Sequence, residues 1–282
     1  MLATTKEMLL KAQAGKYAVC AFNAENMEMA QAIVQAADAL RAPVIIQTTP
    51  STAQYGGLHV LYAMVSALAK KTGVPVALHL DHGDGFPLIC RALREGYTSV
   101  MIDGSRLQFD QNAALTIQAA LVAQASGVPI EAEIGYVGGK EDGLSNEAKT
   151  GLTDPYDAER FVKFTGVDSL AVGIGTAHGF YKQKPFIDTK RLAEINSRVG
   201  VPLVLHGATG LSDHVIVDCI SNGICKINFA TELRAVFTEA VRLTLSGTES
   251  IIDTKKYLSE GREAVFELAK KKIVLSGSKN KV

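Results

Sequence analysis

Short, nearly continuous apolar runs alternate along the chain with longer segments whose apolar residues recur at helical spacing. The first run is Tyr17-Ala18-Val19-Cys20-Ala21-Phe22, closed by Asn23, and residues 27–40 follow it with Ile33, Val34, Ala37 and Leu40 on one stripe. Four later runs share one punctuation, a small residue and a proline before the apolar stretch: Ala42-Pro43-Val44-Ile45-Ile46, Gly73-Val74-Pro75-Val76-Ala77-Leu78, Gly127-Val128-Pro129-Ile130 and Gly200-Val201-Pro202-Leu203-Val204-Leu205. Glycine suits the left-handed residue after a helix, and proline is tolerated where a strand has not begun its ladder. Glycine alone marks three more entries: Gly96 before Ser99-Val100-Met101-Ile102, Gly166 before Ser169-Leu170-Ala171-Val172, and Gly223 before Ile224-Cys225-Lys226-Ile227. These runs predict eight strands.

Helices are predicted over 57–71, 87–95, 109–126, 155–166, 189–199, 212–222 and 231–246. Asp154-Pro155 with Asp157 is a clear start: a cap, proline in the first turn, and a carboxylate at the positive end of the dipole. Near-continuous apolar strands alternating with amphipathic helices imply a parallel sheet covered by helices, and eight such units close into a (β/α)8 TIM barrel. A doubly wound open sheet is the alternative. A short helix capped by Thr4 or Thr5 and ended by Gly15 carries Met8, Leu9 and Ala12 as a lid over the barrel bottom. An extra helix over 254–274 follows the eighth unit, and residues 276–282 read as a frayed tail. The whole chain, 1–282, is expected to form one domain.

Composition narrows the partners. The 29 basic and 29 acidic residues cancel, which removes the broad field of a nucleic-acid or membrane-surface binder. The first residues lack a basic region followed by an apolar core, and no apolar run approaches the ~18 residues of a membrane span. A cytoplasmic protein is expected. Cys20, Cys90, Cys219 and Cys225 show no CxxC spacing, so reduced, packed thiols are predicted.

Polar residues collect just beyond the predicted strand ends, where barrels place their chemistry: Asn23, Gln47, Asp81, His82, Asp103, Glu131, Glu133, His178, His206 and Asn228. His82, His178 and His206 are each followed by glycine, which lets the backbone turn away and the imidazole point into the mouth. Three neutral imidazoles with an open fourth position make a catalytic zinc site. Asp81 reads as a ligand, an orienter or an acid/base, His79 as an inward-facing packing residue, and Glu131 as a site carboxylate or a buried partner of Lys226. His59 and His214 lie on predicted helices and read as structural. The glycine-dense stretch 135–143 is expected to be a loop that opens and closes, with Glu141 at its tip. Gly207-Ala208-Thr209 and Asn228-Phe229-Ala230-Thr231, after strands seven and eight, occupy the recurrent phosphate site of barrels.

Together, Leu80-Asp81-His82-Gly83, Glu131-Ala132-Glu133-Ile134-Gly135, Gly175-Thr176-Ala177-His178-Gly179, Val204-Leu205-His206-Gly207 and Lys226-Ile227-Asn228 resemble the class II, zinc-dependent ketose-bisphosphate aldolases, over residues 5–269. The resemblance implies that His82, His178 and His206 bind Zn2+, that Asp81 exchanges the proton of the C4 oxygen, and that Glu141 is the base for a carbon proton. It implies that Gly179, Gly207, Ala208, Thr209, Asn228, Phe229, Ala230 and Thr231 hold a triose and its phosphate, with Na+ or K+ nearby. Asp103 and Glu133 fall where the family places contacts behind the ligands or an alternate metal position. The Gly175–Gly179 and Asn228–Leu233 segments look more like tagatose-bisphosphate aldolases, since fructose enzymes tend to carry a polar residue where Ala230 stands. The expected substrate is therefore tagatose 1,6-bisphosphate, with fructose 1,6-bisphosphate or another phosphorylated ketose as the alternative. A homodimer or homotetramer is implied, with a companion subunit in some tagatose-type relatives. Two positions depart from the family: Asp84 adds a carboxylate beside the ligand loop, and Lys255 stands near where an arginine commonly reaches the distal phosphate of a neighbouring subunit. A Schiff-base aldolase using Lys226 and a non-catalytic sugar-phosphate-binding subunit are the rival readings.

Overall fold

The apolar runs form the strands β1 (Val19–Asn23), β2 (Val44–Thr48), β3 (Val76–Gly83), β4 (Ser99–Ile102) and β5 (Ile130–Ile134), followed by the short β6 (Gly138–Glu141) and β7 (Leu144–Asn146). β8 (Ser169–Val172), β9 (Ala177–His178), β10 (Leu203–Leu205) and β11 (Ile224–Phe229) complete the set. The computed structural model describes residues 1–141, 144–146, 151–247 and 251–282, leaving the side chains of 140, 141 and 144–146 outside that description. Eight strands close a parallel barrel in the order β1-β2-β3-β4-β5-β8-β10-β11, and β11 pairs back onto β1. The predicted (β/α)8 TIM barrel is thus the fold, and the open sheet is excluded by the β1–β11 register of Val19 with Lys226.

The helices are α1 (Thr5–Gly15), α2 (Met27–Ala39), α3 (Pro50–Gly56), α4 (Leu58–Ala69), α5 (Phe86–Glu95), α6 (Phe109–Ala125), α7 (Pro155–Thr165), α8 (Thr189–Arg198), α9 (Asp213–Ser221), α10 (Thr231–Ser246) and α11 (Thr254–Leu275). α7 starts as predicted, with Asp154 accepting the Tyr156 and Asp157 amides and Gly166 left-handed at the other end. α3 was not foreseen: Thr49-Pro50 starts it, Thr49 Oγ1 accepting the Thr52 amide, and Gly57 breaks it from α4. The first helix differs in its ends. Thr4 makes no side-chain cap, and Lys16, not Gly15, takes the left-handed turn at φ 50°.

α1 plugs the amino-terminal end of the barrel, where Met8, Leu9 and Ala12 pack with Val19, Ile45, Ala77 and Cys225. Thr5 Oγ1 also donates to Ser99 Oγ inside the barrel. The predicted frayed tail is instead packed. Ser276 and Ser278 are buried, Ala18 donates to the Ser276 carbonyl, and the Asn280 and Lys281 amides donate to the Leu40 and Arg41 carbonyls. A tail whose backbone bonds the strand β1 entrance has lost the conformational freedom that its glycine and serine content suggested. Deleting residues 276–282 should cost about 3 kcal/mol, at roughly 1 kcal/mol for each of these three bonds, measured as a lower Tm in thermal unfolding.

All four cysteines are free, and burial pushes the thiols of Cys20 and Cys219 up to about 12 and that of Cys225 to about 11. No helix among the described residues is long and apolar enough to cross a membrane.

Candidate active site

The three histidines converge at the carboxyl-terminal mouth of the barrel: His82 on β3, His178 on β9, and His206 immediately after β10. One ring nitrogen from each lies within 4.8 Å of the others. His82 Nδ1 donates to Asp103 Oδ2 at 2.7 Å, and His206 Nε2 donates to Glu131 Oε1 at 3.0 Å. The other nitrogens of these two rings, His82 Nε2 and His206 Nδ1, meet at 3.0 Å. Three imidazoles, two of them oriented by carboxylates, are a donor set that could hold a zinc ion. Burial lowers the pKa of His206, with the Glu131 hydrogen bond opposing it, so its ring is the neutral form that a metal needs.

The carboxylates behind the histidines are charged. Burial opposes ionisation of Asp103, yet the His82 ring and the Ser105 amide hold it below the usual range. Burial likewise opposes ionisation of Glu131, and the Lys226 charge overcomes it. Glu133 Oε2 lies 3.5 Å from His206 Nδ1, and His82, Asp103 and Glu133 form a second group with ligand-type atoms within 4.8 Å.

Glycine follows each histidine for different local reasons. At β3 the histidine itself takes the left-handed turn, at φ 47°, against the expectation that glycine would. Gly83 is required because a Cβ there would sit 2.5 Å from the Met101 carbonyl, at the bulge where β3 shifts register against β4. The 135–143 stretch is a paired segment, not a free loop, where it is described: Gly138 and Gly139 ladder onto Ala177 and His178. A Cβ on Gly139 would lie 2.3 Å from the His178 carbonyl, so this glycine lets the loop clamp the ligand strand. The side chain of Glu141 lies outside the described residues.

Asp81 is fully buried beside the triad and receives three amide donors: Asn23 and Gln47 on Oδ2 at 3.1 and 3.0 Å, and Asn228 on Oδ1 at 3.1 Å. The predicted phosphate residue Asn228 thus points its side chain at the carboxylate. Deeper in the barrel, Lys226 Nζ donates to Glu131 Oε2 at 2.9 Å and approaches His79 Nε2 at 3.5 Å, while His79 Nδ1 meets Ser99 Oγ. Both expectations for His79 and Glu131 are therefore met. Lys226 is fully buried and ion-paired with Glu131.

A cleft opens beside the triad, lined by His178, Gly179, Gly207, Ala208 and Thr209 from one side and by Asn228, Ala230 and Thr231 from the other. Tyr181 ties the two loops, accepting the Ala177 amide and donating to the Gly207 carbonyl. Phe229 turns the other way and stacks on Phe22 with centroids 5.6 Å apart. Arg234, which also lines the cleft, was missed in the sequence; its signal is a basic residue one helical turn after Thr231. Asp84, His59 and His214 are at the surface. Lys255 is 86% exposed and paired with Asp253, and it is not among the residues lining the cleft.

Comparison with known proteins agrees with this geometry. The family model for class-II fructose-bisphosphate aldolase matches residues 3–281. Among solved structures, the YdjI aldolase from Escherichia coli K12 is 35% identical with a TM-score of 0.86, covering 100% of this chain and 99% of that one. A putative fructose-1,6-biphosphate aldolase from Coccidioides immitis is 30% identical with a TM-score of 0.90, covering 98% and 96%. A fructose-bisphosphate aldolase from Campylobacter jejuni, 23% identical over 100% and 97% with a TM-score of 0.84, shares the fold. The chain belongs to the class-II fructose-bisphosphate aldolase family, and is an aldolase from a family that generally depends on zinc and acts on phosphosugars.

Proposed function

We propose that the protein cleaves tagatose 1,6-bisphosphate reversibly to dihydroxyacetone phosphate and glyceraldehyde 3-phosphate, with zinc held by His82, His178 and His206. The observation that carries the metal assignment is the convergence of one ring nitrogen from each of His82, His178 and His206 to within 4.8 Å of one another, with Asp103 and Glu131 orienting the His82 and His206 rings. When bound, zinc supplies a Lewis acid beside the substrate carbonyl, an electron sink for carbon–carbon cleavage. Gly179, Gly207, Ala208, Thr209, Ala230 and Thr231 bind and orient the triose phosphate, with Phe229 contributing backbone and Na+ or K+ a further charge. Asp81, aimed by Asn23, Gln47 and Asn228, takes the C4 hydroxyl proton during cleavage and returns it to the aldehyde oxygen during condensation. Glu141 is the base for the carbon proton of dihydroxyacetone phosphate. Asp103 and Glu133 orient the ligands or offer an alternate metal position. The working form is a homodimer or homotetramer, with a companion subunit as a further component.

Ala230 favours the tagatose epimer. Fructose 1,6-bisphosphate is the second reading, favoured by the name that the similar Coccidioides immitis protein carries. Specificity constants for the two bisphosphates, measured side by side on zinc-loaded protein, should favour tagatose; a higher value for fructose would reverse the choice. Complete metal removal by a chelator should abolish cleavage of both, and zinc should restore it. Cleavage that survives chelation would sink the metal mechanism.

A further inference from the structure

We infer that Arg234 is the cation that neutralises the substrate phosphate, and that Glu25 holds it in reserve until the phosphate arrives. This deepens the proposed function and rests on a phosphorylated triose entering the cleft. Among the described residues lining that cleft, Arg234 carries the one fixed positive charge. A phosphate dianion placed among Gly207, Thr209 and the first turn of α10 meets backbone amides and a helix terminus, which offer only partial charges. A guanidinium adds a full charge and two parallel N–H donors matched to two phosphate oxygens.

Arg234 stands three residues beyond Thr231 on α10, so both side chains lie on one helical face. Its Nη1 is 3.4 Å from Glu25 Oε1, and the two side chains are 40% and 39% exposed. An ion pair that long and that wet is weak, so exchange of one carboxylate for a doubly charged phosphate favours the ligand. The neighbouring acid does not interfere: Glu232 is held at 2.9 Å by Lys272, which lies against the Phe229 ring. Lys255, the other cation considered for a substrate phosphate, is committed to Asp253. Glu25 lies two residues after the end of β1, so the arginine is pre-positioned at the mouth by the same strand that delivers Asn23 to Asp81.

Calorimetric titration of inorganic phosphate into zinc-loaded protein tests this. Arg234→Gln should weaken phosphate binding about tenfold or more, and Arg234→Lys, which keeps the charge but not the fork, should fall between. Glu25→Gln, which leaves the arginine in place and frees it, should tighten binding severalfold. In steady-state condensation, Arg234→Gln should raise KM for dihydroxyacetone phosphate more than it lowers kcat. Wild-type affinity for phosphate in both Arg234→Gln and Glu25→Gln would overturn the inference while leaving the aldolase reading intact. Wild-type protein that fails to bind phosphate at all would overturn the inference together with the assignment of this cleft to the substrate phosphate.

Discussion

Asp81→Ala is expected to keep zinc bound and to lose at least about a hundredfold in kcat, the scale of a positioned acid/base. Asn23 and Gln47 donate to Oδ2 and Asn228 to Oδ1, and the groups of side chains among the described residues that could hold a metal ion do not include Asp81. Three amide donors around one carboxylate set its direction, which is the preorganisation that proton transfer to a substrate oxygen requires. Asp81→Asn is the closer control in shape. It turns an acceptor group partly into a donor and sets an NH2 against the amides of Asn23, Gln47 or Asn228. Zinc content measured alongside turnover separates the roles: loss of metal with Asp81→Ala would make Asp81 a ligand, and retained cleavage would remove it from the chemistry. His82→Ala should lose both zinc and cleavage.

Lys226→Met should destabilise the fold by about 3–5 kcal/mol, the cost of leaving a buried charge without its partner. Lys226 is fully buried and Glu131 is 2% exposed, so water cannot replace the ammonium group. Unfolding in urea should show a lower midpoint with an unchanged slope. Adding Glu131→Gln should recover much of the loss, because two neutral groups in contact carry no uncompensated charge. If the double variant is no more stable than Lys226→Met, the ion pair is not the source of the loss. The Glu131 carboxyl titrates below its ordinary 4.5 in the fold, so its stabilisation is complete above that pH and is lost only as the pH falls through the lower folded value. The same pair reaches the metal centre, because Glu131 Oε1 holds the His206 ring while Oε2 holds Lys226. Weaker zinc binding is therefore expected in Lys226→Met as well, on the tenfold to hundredfold scale of partners behind a ligand.

Strand and helix content was legible because periodicity is local. The punctuation of a small residue and a proline before Val44, Val76, Ile130 and Leu203 marks four barrel strands, and Asp154-Pro155 marks the start of α7. What failed also has local causes. Thr49-Pro50 and Gly56-Gly57 delimit a helix of seven residues, too short for its period to be read. The tail after α11 has a disordered composition, but its order comes from carbonyls and amides near β1 and α2, far away along the chain. Within 135–143, Gly139 has a further role that composition does not show, close approach to the His178 backbone.

By itself the sequence determined the barrel, the three histidines and the carboxylate beside them, because hydrophobic period and residue type at strand ends are properties of short segments. Only the tertiary structure decided which carboxylates hold the His82 and His206 rings: Asp103 and Glu131, which barrel closure brings to residues 21 and 75 positions away. It also decided that Asn228 serves Asp81, that Lys226 is locked in the core, and that Arg234 shares a cleft with the phosphate loops. These are relations between residues on different strands, set by the register in which eight strands close, and no local pattern in the chain encodes them.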